Sequence, residues 1–159
     1  MRRGKPIFYW DANIFLAWLK DERENRKPGE MEGLAEIVAI IDRQEAIMMT
    51  SVITRTEVLE STLPDQAQNI FNKIFERPNI VSVDVTVPIS NMAHAIRDYY
   101  RQNGRSLKTA DCLHLATAIQ HQADELHTFD EDDLISLNGN VAGHKLIICK
   151  PKGVQTVLF

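Results

Sequence analysis

The stretch "IFYWDANIFLAW", from Ile7 to Trp18, places an aspartate and an asparagine among ten apolar residues. The run "PIFYW" before Asp11 is typical of a buried strand, and the pattern from about Asn13 onward predicts a helix. Burying a carboxylate is costly unless the group is paired, hydrogen-bonded or bound to a metal. Asp11 therefore has a partner elsewhere in the chain, or it caps the helix by accepting hydrogen bonds from the first free N–H groups. For Asp11 taken alone, the cap is the simpler interpretation, and a cap is compatible with a functional role.

Strand-like and helical patterns alternate along the rest of the chain. Further strands are predicted over "AIMMTSVI", "NIVSVDV", "ELHTF" and "KLIIC". Helical spacing and end signals predict helices over "MEGLAEIVAIID", "TRTEVLEST", "PDQAQNIFNKIFE", "VPISNMAHAIRDYYRQNG" and "TADCLHLATAIQHQ". Strands separated by helices of this length imply βαβ units, and therefore an α/β fold with a mostly parallel central sheet and helices on both faces. The charged segment "KDERENRKPGE", residues 20–30, reads as a loop closed by a Pro-Gly turn.

Composition limits the class of protein. The chain has 159 residues, of which 44% are apolar and 25% charged, and this suits a single soluble domain spanning residues 1–159. No apolar run approaches the roughly 18 residues of a membrane span, and no signal-type segment begins the chain, so we expect a cytoplasmic protein with no membrane contact. The two cysteines, Cys112 and Cys149, form neither a disulfide framework nor a paired metal motif, and core thiols in a reducing compartment are the simpler interpretation.

The net charge of −4 mildly opposes simple electrostatic binding of nucleic acid. A divalent ion held by acidic residues would change this balance, since one ion brings it to −4 + 2 = −2 and two ions bring it to zero. Arg105 and Lys108 lie just upstream of Asp111 and could contact substrate phosphates, although exposed cations near a helix end are the commoner case.

Four acidic residues occupy positions that the predicted sheet brings to one edge. Asp11 follows the first strand and Asp130 ends the segment "ELHTFD", and ligands of open parallel sheets bind beyond the carboxyl ends of the strands. The helices that carry Glu57 and Asp111 could bring these two residues to the same edge. Carboxylates that lie so close to one another cannot all stay ionised without help. A hard cation, Mg²⁺ or Mn²⁺, is therefore expected to bind between them.

With these residues in place, the chain resembles the PIN-domain family of metal-dependent ribonucleases, and most closely its VapC-type toxin branch. The matching motifs, in chain order, are D-x-N after the first strand, S/T-x-x-E in the next helix, an acid opening a helix of small residues, and T-x-D after a later strand: Asp11 and Asn13, Thr54 and Glu57, Asp111, and Thr128 and Asp130. The resemblance covers nearly the whole chain, and it implies a PIN-like three-layer sandwich.

The resemblance also implies a chemistry and a set of partners. Asp11, Glu57, Asp111 and Asp130 would hold one or two Mg²⁺ or Mn²⁺ ions, and a water molecule would attack the RNA phosphodiester. The residues implied to position the carboxylates are Asn13, Thr54 and Thr128. A VapC-type protein would be the toxin of a toxin-antitoxin pair, a homodimer with RNA as substrate and a small DNA-binding antitoxin as partner.

The chain departs from the family pattern after Asp130. The sequence continues "EDDL", so either Asp132 or Asp133 could supply an extra metal ligand, and the pattern does not choose between them. His114 and His121 stand seven residues apart on one predicted helical face, but without a third ligand at metal spacing they read as ordinary, partly exposed histidines.

Other functions fit the sequence less well. The chain contains neither a G-x-x-x-x-G-K-[ST] loop nor a G-x-G-x-x-G turn, which excludes the common nucleotide-binding motifs. A non-catalytic PIN-like module for RNA binding or assembly would be favoured if one of the four acids were missing. An aspartyl-nucleophile phosphatase also places an aspartate after its first strand, but Asn13 stands where such enzymes use a second acid.

Overall fold

The computed structural model describes residues 4–21 and 23–153. The described chain forms a five-stranded sheet in the order β3-β2-β1-β4-β5, and every neighbouring pair of strands is parallel. The strands are β1 (Ile7–Trp10), β2 (Ile47–Ser51), β3 (Ile80–Val83), β4 (Glu125–His127) and β5 (Ile148–Cys149). The helices are α1 (Ala12–Lys20), α2 (Glu30–Asp42), α3 (Val52–Glu60), α4 (Asp65–Ile74), α5 (Val87–Gln102) and α6 (Thr109–Gln120). This architecture confirms the α/β prediction with a parallel central sheet.

Helices cover both faces of the sheet, which gives three layers. Successive side chains of a strand point to opposite faces. Phe8 and Trp10 accordingly lie in the core formed with α1 to α4, whereas Tyr9 lies in the core formed with α5 and α6. Among the described residues, none of the helices combines the length and the apolar character needed to cross a membrane.

The apolar run "AIMMTSVI" is not a strand throughout. Strand β2 ends at Ser51, and Val52 already belongs to α3. The Ser51 side chain caps this helix by accepting a hydrogen bond from the Ile53 N–H at 3.3 Å. The predicted strand is therefore two residues too long at its end, because a cap and not a change in hydrophobicity marks the boundary.

The order of the strands identifies one edge of the sheet as a ligand site. The chain builds β1, β2 and β3 toward one side, and then returns to the other side of β1 to add β4 and β5. The switch lies between β1 and β4, and ligands of such sheets bind in the crevice beyond the carboxyl ends of the two strands at this point. Asp11 directly follows β1, and Thr128 directly follows β4.

Candidate metal centre

Asp11 is a buried helix cap that also contacts the neighbouring strand. Its side chain is the N-cap of α1 and accepts the Ile14 N–H at 3.2 Å through Oδ1, while Oδ2 accepts the Thr128 hydroxyl at 2.7 Å. The residue is 3% exposed, and burial raises the pKa of its carboxyl to about 6, with Thr128 and other neighbours opposing the rise and Asp111 adding to it. The sequence left two interpretations of Asp11 open, a helix cap and a residue with a partner elsewhere in the chain. In the fold, Asp11 caps α1 and also has Thr128 as a partner.

Three further carboxylates converge beyond the end of β4. Asp111 lies in the first turn of α6, and Asp130 and Asp133 lie in the turn after β4. One carboxylate oxygen of each residue lies within 4.8 Å of those of the other two. Burial raises the pKa of Asp111, and the charges of Asp130 and Asp133 add to this effect, although the charge of Lys108 opposes it. Such a group of oxygen ligands is of the kind that divalent hard cations bind.

Hydrogen bonds fix the turn that carries two of these acids. The Thr128 hydroxyl donates to Asp11 and accepts the Asp130 N–H at 3.1 Å, so one side chain joins two of the predicted ligands. The Asp130 Oδ1 atom accepts the Asp133 N–H at 2.9 Å. Of the two aspartates that the sequence left open, the structure brings Asp133 into the cluster, whereas Asp132 is exposed and lies outside it.

Arg105 holds the same turn from the outside. One guanidinium nitrogen donates to the carbonyl oxygens of Asp132 and Asp133, at 2.6 Å and 3.1 Å, and to the Ser136 hydroxyl at 2.7 Å. Lys108 is exposed at the start of α6, where its charge opposes the rise that burial causes in the pKa of Asp111. For both residues, contact with substrate phosphates stays a prediction.

Glu57 contacts a buried histidine, and it is not among the three carboxylates that lie within 4.8 Å of one another. Glu57 Oε1 lies 2.7 Å from Nε2 of His114, whose Nδ1 lies 2.6 Å from the Tyr9 hydroxyl. The side chain of His114 is 2% exposed, so its interpretation as an ordinary, partly exposed histidine is wrong. Its surroundings "CLHLATA" contain no charged residue, and this indicates a helix buried on most sides, a signal that could have identified the residue.

The two remaining positioning residues differ in their surroundings. Thr54 is buried and shares a 2.7 Å hydrogen bond with Thr50, whose hydroxyl also lies 2.7 Å from the Trp10 carbonyl. Thr54 thereby ties α3 to the end of β1, next to Asp11. Asn13 is exposed, and its side chain makes no hydrogen bond with a residue that the structure describes.

The sequence of the chain is similar to that of a known protein family. The family model of the PIN domain matches residues 8–138. The chain belongs to the PIN-domain family. This PIN domain covers both the switch point of the sheet and the turn that carries Asp130 and Asp133. Comparison with curated protein sequences gave no match.

Several solved structures are similar in fold to this PIN domain. VapBC2 from Rickettsia felis, bound to a DNA fragment from the promoter, has a TM-score of 0.63 and 17% identity, over 89% of this chain and 96% of that one. VapBC from Salmonella typhimurium, also bound to DNA, has a TM-score of 0.61 and 14% identity, over 92% and 98%. VapC20 from Mycobacterium tuberculosis, a Sarcin-Ricin loop cleaving toxin, has a TM-score of 0.57 and 15% identity, over 79% and 91%. At these identities the likeness concerns the fold.

Two residues of the charged segment 20–30, Arg26 and Lys27, pack beside the acidic turn of this PIN domain. Lys27 Nζ lies 2.9 Å from both carboxylate oxygens of Glu131, the residue after Asp130, and the Arg26 guanidinium lies 4.4 Å from the ring centre of Phe129. Hydrogen bonds from Lys150 and Lys27 lower the pKa of Glu131 to about 2. The segment therefore contacts the residues on either side of Asp130.

A second group of possible ligands lies between β4 and β5. Glu125, His127 and Cys149 each offer one atom within 4.8 Å of the other two. His127 Nε2 lies 2.8 Å from Glu125 Oε1, and the Cys149 thiol lies 3.6 Å from the same oxygen. The Trp10 indole N–H donates to His127 Nδ1 at 3.2 Å. The sequence gave no warning of this group, because its members come from two strands that are distant in the chain.

Proposed function

We propose that this protein is a divalent-metal-dependent endoribonuclease that hydrolyses RNA phosphodiester bonds. The observation that carries the proposal is the convergence of Asp111, Asp130 and Asp133 within 4.8 Å, at the sheet edge where Asp11 is buried. Membership of the PIN-domain family supports it. VapC20, one of the proteins similar in fold, is named as a toxin that cleaves the Sarcin-Ricin loop.

The residues divide into ligands and supports. Asp11, Glu57, Asp111 and Asp130, joined by Asp133, would hold one or two Mg²⁺ or Mn²⁺ ions. A bound ion of this kind lowers the pKa of a water molecule and stabilises the charge on phosphate oxygens.

The supports keep the carboxylates in place before any ion binds. Thr128 holds Asp11 and the backbone of Asp130 in one geometry, and Thr54 anchors the helix that carries Glu57. Asn13 lies exposed two residues after Asp11, and Arg105 and Lys108 are candidate contacts to RNA phosphates.

The surroundings of Asp11 argue against an aspartyl-nucleophile phosphatase. A carboxylate that attacks phosphorus must bring one oxygen up to the phosphorus atom, whereas a metal ligand needs only a lone pair that is still free on a fixed oxygen. Both oxygens of Asp11 accept hydrogen bonds, from Ile14 and Thr128, and the residue is 3% exposed. Attack by water suits this site better than attack by Asp11.

We further propose that the protein is the toxin of a toxin-antitoxin pair, formed by residues 1–159 as one PIN-like nuclease domain. The proteins similar in fold include VapBC complexes bound to DNA, which supports a small DNA-binding antitoxin as partner. A homodimer acting on RNA in the cytoplasm completes the proposal.

Cleavage of RNA by the purified protein tests the nuclease. We expect activity with Mg²⁺ or Mn²⁺ and none in excess EDTA. Asp132 and Asp133 form a matched pair, because they are neighbours in one turn and only the Asp133 carboxylate lies in the cluster. Asp133→Asn should lower the cleavage rate about 10-fold or more, and Asp132→Asn should leave it within about twofold of the wild type.

Three outcomes would contradict the nuclease proposal. Full activity in EDTA would exclude a metal-dependent reaction. Equal effects of the two substitutions would exclude the cluster as the ligand set. RNA binding without cleavage under every metal condition would favour the non-catalytic module.

Expression in a bacterial host tests the toxin. The wild-type chain should slow growth, Asp130→Asn should not, and co-expression of the protein encoded directly upstream should restore growth. Normal growth with soluble, RNA-cleaving protein would favour a housekeeping nuclease.

A further inference from the structure

Three buried or half-buried side chains form a series of hydrogen bonds that starts in the middle of the sheet and ends at Glu57. Tyr9 of β1 is fully buried, His114 of α6 is 2% exposed, and Glu57 of α3 is 33% exposed. The hydrogen bonds between them measure 2.6 Å from Tyr9 to His114 and 2.7 Å from His114 to Glu57. Helices α3 and α6 belong to opposite layers, so the second bond joins the two layers at the sheet edge.

The acceptors and donors determine which nitrogen of His114 carries the proton. An ionised carboxylate only accepts hydrogen bonds, so the nitrogen that faces Glu57, Nε2, must be protonated. In the neutral ring, Nδ1 is then an acceptor and needs a donor. The Tyr9 hydroxyl is that donor, and burial, together with the charge of Asp11, raises the pKa of Tyr9 well above its ordinary value and keeps the hydroxyl protonated.

We infer that His114, held in one tautomer by Tyr9, is a positioning residue that aims one oxygen of Glu57 into the metal centre. His114 makes its hydrogen bond to Oε1 of Glu57, and Oε2 accepts no hydrogen bond from a residue within 4–21 or 23–153. The carboxylate of a flexible glutamate is thus fixed at one oxygen and open at the other. Groups that hold a metal ligand in this way contribute strongly to metal affinity.

The inference rests on the proposed function, because the orientation of Glu57 matters to catalysis only if the acids hold a metal ion. It goes beyond the motif residues, since neither Tyr9 nor His114 belongs to the acids, the threonines or the asparagine that the motifs contain. A histidine buried only to fill the core would satisfy its nitrogens equally well, and its replacement would change stability without changing the metal site. If His114 positions Glu57, metal affinity should fall in a variant that loses the donor to Glu57 and should stay in a variant that keeps it. If His114 only fills the core, metal affinity should be the same in both variants.

The tautomer can be measured without metal. Nitrogen-15 NMR of the histidine side chains at pH 8 should show His114 as the neutral tautomer with its proton on Nε2. His127 provides a reference in the same molecule, because its Nδ1 accepts the Trp10 N–H and its Nε2 faces Glu125. A proton on Nδ1 of His114 in place of Nε2 would overturn the inference.

Two substitutions separate the positioning role from a structural one. The amide nitrogen of His114→Gln reaches the place of Nε2 and keeps the donor to Glu57, whereas the amide of His114→Asn ends near Nδ1 and loses it. By calorimetric titration with Mn²⁺, His114→Asn should raise the dissociation constant about 10-fold, and His114→Gln should stay within about threefold of the wild type. Tyr9→Phe removes the donor to Nδ1 and should raise the constant less than His114→Asn does.

The outcomes distinguish this inference from the proposed function. Equal Mn²⁺ affinities of the Gln and Asn variants, in a protein whose wild type binds Mn²⁺, would overturn the positioning role alone. A wild type that shows the expected tautomer but binds no Mn²⁺ would overturn the proposed function, and the positioning role with it. A difference between the variants in melting temperature only, with equal affinities, would show that His114 is structural.

Discussion

The acidic site and the cluster of Glu125, His127 and Cys149 both bring three ligand atoms within 4.8 Å, yet their electrostatics are opposite. In the acidic site, burial and neighbouring charges raise the pKa of Asp11 and Asp111. In the second cluster, the hydrogen bond from His127 lowers the pKa of Glu125. In the first group, the charge of Lys108 offsets the burial and mutual repulsion of the carboxylates only in part, whereas the second group is already satisfied by hydrogen bonds.

The second cluster cannot bind a metal without breaking these bonds. The indole N–H of Trp10 can only donate, so His127 Nδ1 must be unprotonated and the proton lies on Nε2, which faces Glu125. A metal on Nε2 would leave both ring nitrogens without a proton. Burial and the nearby Glu125 also raise the pKa of the Cys149 thiol to about 12, whereas a metal ligand needs a thiolate. Whether the ligand atoms carry protons is therefore stronger evidence for or against a metal site than how close the atoms are to one another.

The largest expected difference between the clusters is in Mn²⁺ affinity. Asp130→Asn should weaken Mn²⁺ binding about 100-fold, because it removes a charged ligand, and Glu125→Gln should leave the affinity within about twofold. In thermal melts, Mn²⁺ at about a hundred times its dissociation constant should stabilise the wild type by about 2.7 kcal/mol, which is roughly 5 to 10 °C. Glu125→Gln should show the same increase in melting temperature. Loss of the increase in Glu125→Gln would show that the ion binds to the cluster of Glu125, His127 and Cys149 and not to the acidic site.

The second prediction concerns Asp11 without metal. Its folded-state pKa of about 6 lies above the ordinary value of 3.8, so the native state binds more protons than the unfolded chain between these values. Wild-type stability therefore falls as the pH rises through this range, by about 3 kcal/mol at most. Asp11→Asn does not lose stability in this way. Its single amide oxygen cannot replace both acceptor oxygens of Asp11, one for the Ile14 N–H and one for the Thr128 hydroxyl, and this offsets about 1 kcal/mol of the gain.

Melting of both proteins in EDTA at constant ionic strength measures this effect. Asp11→Asn should melt above the wild type near neutral pH, and the difference should shrink as the pH falls toward 4. A difference that does not change with pH, or a variant that melts well below the wild type throughout, would show that Asp11 is a structural cap only.

A smaller effect is expected at Arg105, which supports the acidic cluster from outside. Lysine cannot reproduce the bonds to two carbonyls and the Ser136 hydroxyl, because its ammonium ends one bond short of the guanidinium nitrogen that makes all three. Arg105→Lys should weaken Mn²⁺ binding by less than about 10-fold through the displaced Asp133. If Arg105 contacts RNA phosphates instead, the KM for RNA should rise while the Mn²⁺ affinity stays unchanged.

The smallest expected effect is on the reactivity of Cys149. With its raised pKa, the thiol should react with a disulfide reagent at pH 8 far more slowly than the thiols of the unfolded chain. Glu125→Gln removes the adjacent negative charge and should accelerate labelling by about two- to threefold. Equimolar Zn²⁺ should not protect Cys149 in the wild type, and protection would show that the second cluster binds metal after all.

The sequence predicted most elements of the fold because the patterns behind them are local. The apolar strand before Asp11 and the helical spacing after residue 30 each depend on a few adjacent residues. The end of β2 was missed because hydrophobicity continues into α3 and only the Ser51 cap marks the change. The motif residues were predicted through the resemblance to the PIN-domain family, whose motifs are short runs of neighbouring residues.

The connections between the motif residues could not be predicted. His114 and Glu57 are 57 positions apart in the chain, and Tyr9 and His114 are 105 apart. Nothing in the sequence of α6 indicates which carboxylate its histidine meets. The choice of Asp133 over Asp132 is of the same kind, because it depends on how the turn after β4 closes against Arg105.

The sequence by itself determined the parallel α/β fold, the edge of the sheet that carries the acids and the residue types that meet there. It did so because strand alternation, helix spacing and caps act over a few residues, and because parallel strands place their carboxyl ends together. Only the tertiary structure decided that Asp11 is both a cap and a partner of Thr128, and that His114 is buried against Glu57. It also decided that both ring nitrogens of His127 already take part in hydrogen bonds, with Trp10 and Glu125. Those properties depend on burial and on hydrogen bonds between distant segments, which exist only once the layers have packed.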